Sequence, residues 1–324
     1  MAVLTGGVST ERDISLQSGA SVAKALRDAG VNVVLADIGP DNLHVLDDRS
    51  IDVFFIALHG SFGEDGQLQH IMEQKSLVYT GSGPQASRLA LDKMASKKAF
   101  IEEGINVPPA ILFDNDCAAE RFEEQLHSLA DKYVVKPLKQ GSTIGISIVD
   151  DAKQALAAAR KCVTDFGDCM IEKYIPGREL TVGILENRPL PIIEIKAADG
   201  FYDYTAKYHD DRTQYLFDTI ENPKVAANVQ DEGIGCFNAL GCRDFARVDF
   251  ILGRDQKPYA LEVNTIPGFT SHSLLPMAAA KAGFPMSQLC VRIIEAALKR
   301  DKRHSPERSK TEIKGAASCR IESI

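Results

Sequence analysis

Apolar residues fall into short, evenly spaced runs over the first eighty positions. Residues 2–5 form the first run. Gly6-Gly7-Val8-Ser9-Thr10-Glu11 follows, and apolar positions then recur at Leu16, Val22, Ala25 and Leu26 before Ala29-Gly30. This pattern predicts a strand, a turn and an amphipathic helix with Ser9 or Thr10 as its N-cap. Further strands are expected over 31–37 and 52–58. The second is continuously apolar, as in a strand buried on both faces. A glycine-rich stretch, HGSFGEDG from His59, opens a helix over 67–74, and a short strand over 78–81 closes the segment. Strand and helix alternating in this order predict an α/β fold with a Rossmann-like parallel sheet. Such sheets bind ligands beyond the carboxyl ends of their strands, where Glu11 and His59 lie.

An amphipathic helix is expected over 85–103, carrying Lys93, Lys97 and Lys98 and stopping at Gly104. The chain divides near its start, giving a first domain of 1–92. A smaller unit over 93–178 has strands expected at 110–113, 133–136, 146–149 and 170–174, with helices at 118–129 and 152–161. A third unit covers 179–300. It opens with antiparallel strands over 179–185 and 190–196 about Asn187-Arg188-Pro189. Residues 200–215 are aromatic and polar without period, which marks a binding loop or lid. Helices are expected over 230–240 and 287–299. Residues 301–324 mix charges with serine and few apolar positions, and read as a disordered tail.

The densest patterning is FARVDFILGRDQKPYALEVNTIPGFT, starting at Phe245. It predicts a hairpin about Gly253 to Pro258. Side chains alternate along a strand, so Arg247 and Asp249 share one face, as do Glu262 and Asn264. A loop centred between Asp255 and Gln256 sets Asp249 opposite Glu262 and Arg247 opposite Asn264. Adjacent carboxylates repel unless a positive charge lies between them. An all-oxygen set of Asp, Glu and Asn suits a hard cation such as Mg²⁺ bound with substrate phosphates, and Arg247 would be free to hold an anionic oxygen. A solvated sheet face with a salt bridge is the plainer alternative. Likewise Glu11 reads either as a site residue or as a first-turn acid favoured by the helix dipole, and His59 either as a site residue or as a turn cap.

Lys136-Pro137-Leu138-Lys139-Gln140-Gly141-Ser142-Thr143-Ile144-Gly145 joins two expected strands. Its amides and hydroxyls suit phosphate oxygens, although it is not a Walker A loop. The segment over 170–174 reads as an edge strand that, with an acid beyond the Pro176-Gly177 turn, would grip an adenine and a ribose.

Composition narrows the function. The net charge of −8 argues against nucleic acid or anionic membrane as a partner. Seven cysteines without a CxxC pair point to free thiols in a reducing cytosol. No signal peptide or membrane-span-length apolar run is expected. The spacing of GGVSTE lacks the GxGxxG fingerprint, so an NAD site is rejected.

Over about residues 2–300 the chain resembles D-alanine–D-alanine ligases of the ATP-grasp superfamily. The resemblance is carried by GGVSTERDIS, ALHGSFGEDGQLQ, YTGSG, LDKMASK, VVKPLKQGSTIGIS, IEKYIPGRELTV, FYDYTAKY, ARVDF and LEVNTIPGFTSHSLLP. It departs at Leu138-Lys139-Gln140, where small or acidic residues are common. The resemblance implies an ATP-grasp fold and ATP-dependent joining of two D-alanines through an acyl phosphate in the cytoplasm. It further implies a homodimer and two Mg²⁺ ions, or Mn²⁺, on Asp249, Glu262 and Asn264. Lys93, Lys136 and Lys207 would contact phosphates, while Glu172, Lys173, Ile175, Glu179 and Phe201 would hold adenine and ribose. Arg247 and the Gly268 amide would form the oxyanion site. Glu11 would hold the first D-alanine's ammonium in a network with Ser142 and Tyr208, with His59 near that substrate. Ser273, beside Leu274, would meet the second D-alanine's carboxylate. Joining D-alanine to D-lactate or D-serine, and nucleotide binding without catalysis, are the alternatives. Tyr208 favours the dipeptide.

Overall fold

The computed structural model describes residues 1–114, 119–141, 144–197 and 212–304. Strand β1 (Ala2–Gly6) lies between β2 (Val34–Ile38) and β3 (Phe54–Ile56) in a parallel sheet, as the alternation predicted. Tyr79 adds only an isolated parallel bridge to Phe54 where a strand was expected. Helix α1 (Arg12–Asp28) lays Ile14, Val22 and Leu26 onto the core. Its N-cap is Glu11, without a side-chain cap bond, rather than Ser9 or Thr10. Ser9 is occupied elsewhere, its hydroxyl donating to the His59 carbonyl at 2.7 Å. Helix α2 (Gln67–Gln74) follows the glycine-rich loop as expected.

The helix expected over 85–103 is broken. α3 (Pro84–Leu91) and α4 (Lys93–Glu102) meet at Asp92, which is extended at φ −88° and ψ 103°. The Asp92 carboxylate accepts the Met94 and Ala95 amides and so restarts the helix. The break places Lys93 on the first turn of α4.

A four-stranded sheet has the order β4-β7-β5-β6, from β4 (Ala110–Leu112), β5 (Tyr133–Pro137), β6 (Ser147–Val149) and β7 (Cys169–Lys173). Strand β7 is therefore central, not an edge, and is paired on both sides. Helices α5 (Ala119–Leu129) and α6 (Ala152–Phe166) belong to this unit, and Phe122, Leu126, Ala155 and Ala159 share a core with Tyr133 and Ile171.

The largest sheet runs β11-β10-β8-β12-β13. Its strands are β8 (Gly177–Leu185), β10 (Ile193–Lys196), β11 (Gln214–Phe217), β12 (Phe245–Gly253) and β13 (Pro258–Asn264), with β9 (Arg188–Pro189) on β8. Helix α7 begins earlier than expected (Pro223–Ala239), because Asn222 caps it and Pro223 suits a first helical position. After α8 (Leu274–Lys281), the last helix α9 (Met286–His304) runs past the predicted stop at 299. Residues 305–324 lie outside the described residues.

The β12–β13 register is the expected one. Arg247 faces Asn264 and Asp249 faces Glu262. A bulge after Asp249 shifts the rest of the ladder, so Phe250 faces Ala260. Phe245, Phe55 and Phe269 stack edge and face between the parallel sheet and the large one. That contact holds the strand ends of the two sheets together.

Candidate active site

Three cavities meet at the end of the β12–β13 hairpin. The first, about 490 Å³, is lined by Lys93, Lys136, Glu172, Lys173, Ile175 and Glu179, and by Asp249 and Glu262. The second, about 200 Å³, shares Lys93 and Glu262 with it and adds Glu11, Gly141 and Asn264. The third, about 300 Å³, contains Glu11, His59, Arg247, Asn264, Gly268, Ser273 and Leu274. The hairpin carboxylates thus stand between a large pocket and a small one. Ser142, Phe201, Lys207 and Tyr208 lie outside the described residues.

Asp249 is 7% exposed. Its carboxylate accepts from Arg247 Nε at 2.9 Å and Nη2 at 2.8 Å. The Thr181 hydroxyl at 2.6 Å and the Asn264 amide at 3.0 Å complete its shell. Arg247 is therefore not free, as the sequence reading had it, because a bidentate carboxylate is the strongest partner within its reach. Glu262 pairs with Lys93 at 3.3 Å. Each carboxylate of the cluster thus has a cationic partner among the described residues.

Lys136 and Lys97 both converge on Glu172, at 2.5 and 3.0 Å, with side-chain exposures of 3–6%. Burial opposes the charge on Glu172, but the two ammonium groups outweigh it and hold its pKa below the usual carboxylate value. Burial pushes Lys97 down to about 8. None of the three is solvated surface. In the sequence Lys97 was named only as one of three lysines on the expected helix and given no site role, although it lies four residues after Lys93 and therefore on the same helix face.

Glu11 is also buried, and Gly141 packs against its carboxylate: a Cβ there would stand 3.2 Å from Oε2. His59 is buried with partners at both ring nitrogens, the Ile266 carbonyl at 3.0 Å and the Ser18 hydroxyl at 3.3 Å. Burial lowers its pKa. Glu64, not singled out in the sequence, lines the same cavity. The Gly60 amide donates to Glu64 at 2.6 Å, yet burial and then Glu11 raise its pKa to about 8. The signal was its place in the same glycine-rich loop as His59. Gly268 has no room for a side chain, since a Cβ would meet Ser273 Oγ at 2.6 Å. The Ser273 hydroxyl accepts from the Thr270 amide at 2.9 Å.

Among the described residues no helix is long and apolar enough to cross a membrane. A family described as D-ala D-ala ligase C-terminus matches residues 100–295. The D-alanine–D-alanine ligase of Bordetella petrii is 43% identical over 322 residues, covering 95% of this chain and 94% of its own length. The crystal structure of D-alanine–D-alanine ligase from Bacillus anthracis complexed with ATP has a TM-score of 0.79 at 32% identity, covering 94% of this chain and 99% of that one. A D-Ala:D-Ser ligase from Enterococcus faecalis has a TM-score of 0.78 at 27% identity, covering 91% and 98%. The chain is thus an enzyme of the D-alanine–D-alanine ligase family, built on the ATP-grasp fold.

Proposed function

We propose that the protein joins two D-alanines to D-alanyl-D-alanine at the expense of ATP, releasing ADP and phosphate, as a step in peptidoglycan precursor synthesis. The observation that carries this reading is the placement of Asp249, Glu262 and Asn264 where the three cavities meet. The large cavity takes the nucleotide, with Glu172, Lys173, Ile175 and Glu179 around adenine and ribose. Lys93 and Lys136 face its phosphates, and Lys207 and Phe201 join them on the resemblance. The second and third cavities take the amino acids, with Glu11, which lines both, at the first ammonium and Ser273 and Leu274, in the third, at the second carboxylate.

A carboxylate oxygen of the first D-alanine attacks the γ-phosphorus, and ADP leaves. Such transfers rest on positioning and charge neutralisation, which the lysines supply. The second D-alanine, having lost an ammonium proton, attacks the carbonyl carbon of the acyl phosphate. The resulting oxyanion is met by Arg247 and the Gly268 amide, and its collapse expels phosphate. One such donor is typically worth about 3 kcal/mol. Acyl phosphates hydrolyse, so water must be kept out. We assign that role to the segment before β11 that carries Tyr208 and to residues 141–145, which carry Ser142.

The oxygen donors of Asp249, Glu262 and Asn264 fit Mg²⁺, and Mn²⁺ by the same chemistry. Lys93 and Arg247 now balance those carboxylates, which is consistent with a site that takes positive charge. Two bound Mg²⁺ ions would neutralise the β- and γ-phosphate oxygens. We further propose three domains (1–92, 93–178 and 179–300), a homodimer, and a cytoplasmic location.

A product assay with D-alanine alone and with D-lactate or D-serine added tests the reading. D-Alanyl-D-alanine is expected as the main product. Preferred ester or D-alanyl-D-serine formation would assign the chain to the other substrate class. ATP binding without phosphate release at millimolar D-alanine would make it a nucleotide-binding protein only.

A further inference from the structure

The hydrogen bonds of His59 fix its protonation state by geometry. Nδ1 lies 3.0 Å from the Ile266 carbonyl oxygen. A carbonyl only accepts, so Nδ1 carries a proton. Nε2 lies 3.3 Å from the Ser18 hydroxyl. That hydroxyl oxygen already accepts from the Phe269 backbone amide at 3.1 Å. Its own proton needs an acceptor, and among the described residues Nε2 is the one that its contacts provide. The ring is then neutral, with Nε2 accepting. The chain of donors runs from the Phe269 amide through the Ser18 hydroxyl and the His59 ring to the Ile266 carbonyl. Ser18, His59, Ile266 and Phe269 are all buried, Ser18 completely.

This chain brackets Pro267 and Gly268. It ties them to α1 through Ser18 and to the glycine-rich loop through His59. Of the charged groups facing the ring, Glu11 favours the imidazolium and Arg247 disfavours it, and burial, the largest effect, sides with Arg247. Glu64, from the same loop, faces the Ile266 amide, so Ile266 is held at its N–H as well as at its carbonyl.

We propose that Ser18 and a neutral His59 are positioning residues that aim the Gly268 amide at the oxyanion of the second step. The inference rests on the ligase reading above and deepens it. His59 spends both nitrogens on protein, so it stands beside the first D-alanine without donating a ring proton to it. A misaimed donor loses its effect on the transition state while leaving nucleotide binding intact.

The test uses the full chain labelled with ¹⁵N-histidine. Long-range ¹H–¹⁵N correlation is expected to show His59 as the Nδ1–H neutral tautomer from about pH 6 to about pH 8, well inside the range where a free imidazole titrates. Ser18→Ala is expected to move the His59 Nε2 resonance and lower kcat about tenfold, with KM for ATP unchanged within about twofold. A cationic ring, an Nε2–H tautomer, or a wild-type kcat in Ser18→Ala would overturn the proposal. The tautomer is read on the wild-type chain, so it decides the question even where Ser18→Ala does not fold. Absence of D-alanyl-D-alanine from the wild-type reaction would sink the ligase reading and leave the tautomer result standing.

Discussion

The Lys93 ammonium stands 3.3 Å from the Glu262 carboxylate, and the two side chains are 7% and 22% exposed. The same ammonium donates to the Gln140 carbonyl at 2.6 Å. One cation thus links the start of α4, the entry to the glycine loop and a member of the oxygen-donor cluster. Removing the carboxylate takes a donor from the cluster and a partner from Lys93. Glu262→Ala is expected to lower turnover at least about a hundredfold. Phosphate release at ordinary Mg²⁺ is the measurement, and a near-normal rate would contradict the role given to Glu262.

Arg247 and Asp249 are bidentate partners, but Asp249 also holds Thr181 and Asn264. Arg247→Met therefore removes one of the two proposed oxyanion donors while leaving the carboxylate its bonds from Thr181 and Asn264. Turnover should fall about 10²–10³-fold. Circular dichroism should show the fold retained. Loss of the fold together with activity would mean that Arg247 is chiefly a structural counter-ion.

Asp92 breaks what would otherwise be one helix and caps the second half through the Met94 and Ala95 amides. Asp92→Ala should destabilise the protein by about 1 kcal/mol. Because Lys93 follows directly, KM for ATP should rise as well. A denaturant titration and ATP kinetics check the two effects separately.

Glu64 gives a pH dependence with a definite sign. Its pKa rises from an unfolded value of 4.5 to about 8 on folding. The folded state therefore holds a proton that the unfolded state has lost across that window. Its contribution to stability is full below pH 4.5 and disappears as pH rises to about 8. Glu64→Gln keeps the neutral form at every pH. The stability of wild type relative to Glu64→Gln should fall across that window in the ligand-free enzyme. A constant difference between their melting temperatures would contradict a raised pKa.

The hairpin was legible because period-two alternation and turn residues are local signals, and they placed Asp249 opposite Glu262. The bulge beyond Asp249 was not legible, since nothing in the run of residues marks which strand carries the extra one. The broken helix at Asp92 was missed because its apolar pattern continues through the break and only the cap interrupts it. Strand β7 was taken for an edge because its neighbours, β4 and β5, come from distant parts of the chain. Its centrality is what buries Glu172 and gathers Lys97 and Lys136 around it. Lys97 therefore looked like a solvated lysine, since its burial depends on a strand some seventy residues later. Glu11 and His59 were found from their positions after strand ends. Their partners, Gly141 and Ile266, come from other units and had no local signature.

The central claim is that this cluster activates a D-alanine carboxyl group as an acyl phosphate. Labelling that carboxyl group with ¹⁸O tests it, because the oxygen that attacks the γ-phosphorus must leave with phosphate when the amine arrives. Mass spectrometry of the phosphate released with D-alanyl-D-alanine should find one ¹⁸O from the labelled substrate in each molecule. Phosphate free of ¹⁸O would contradict the account, since the γ-phosphoryl group would then never have been bonded to the carboxyl oxygen.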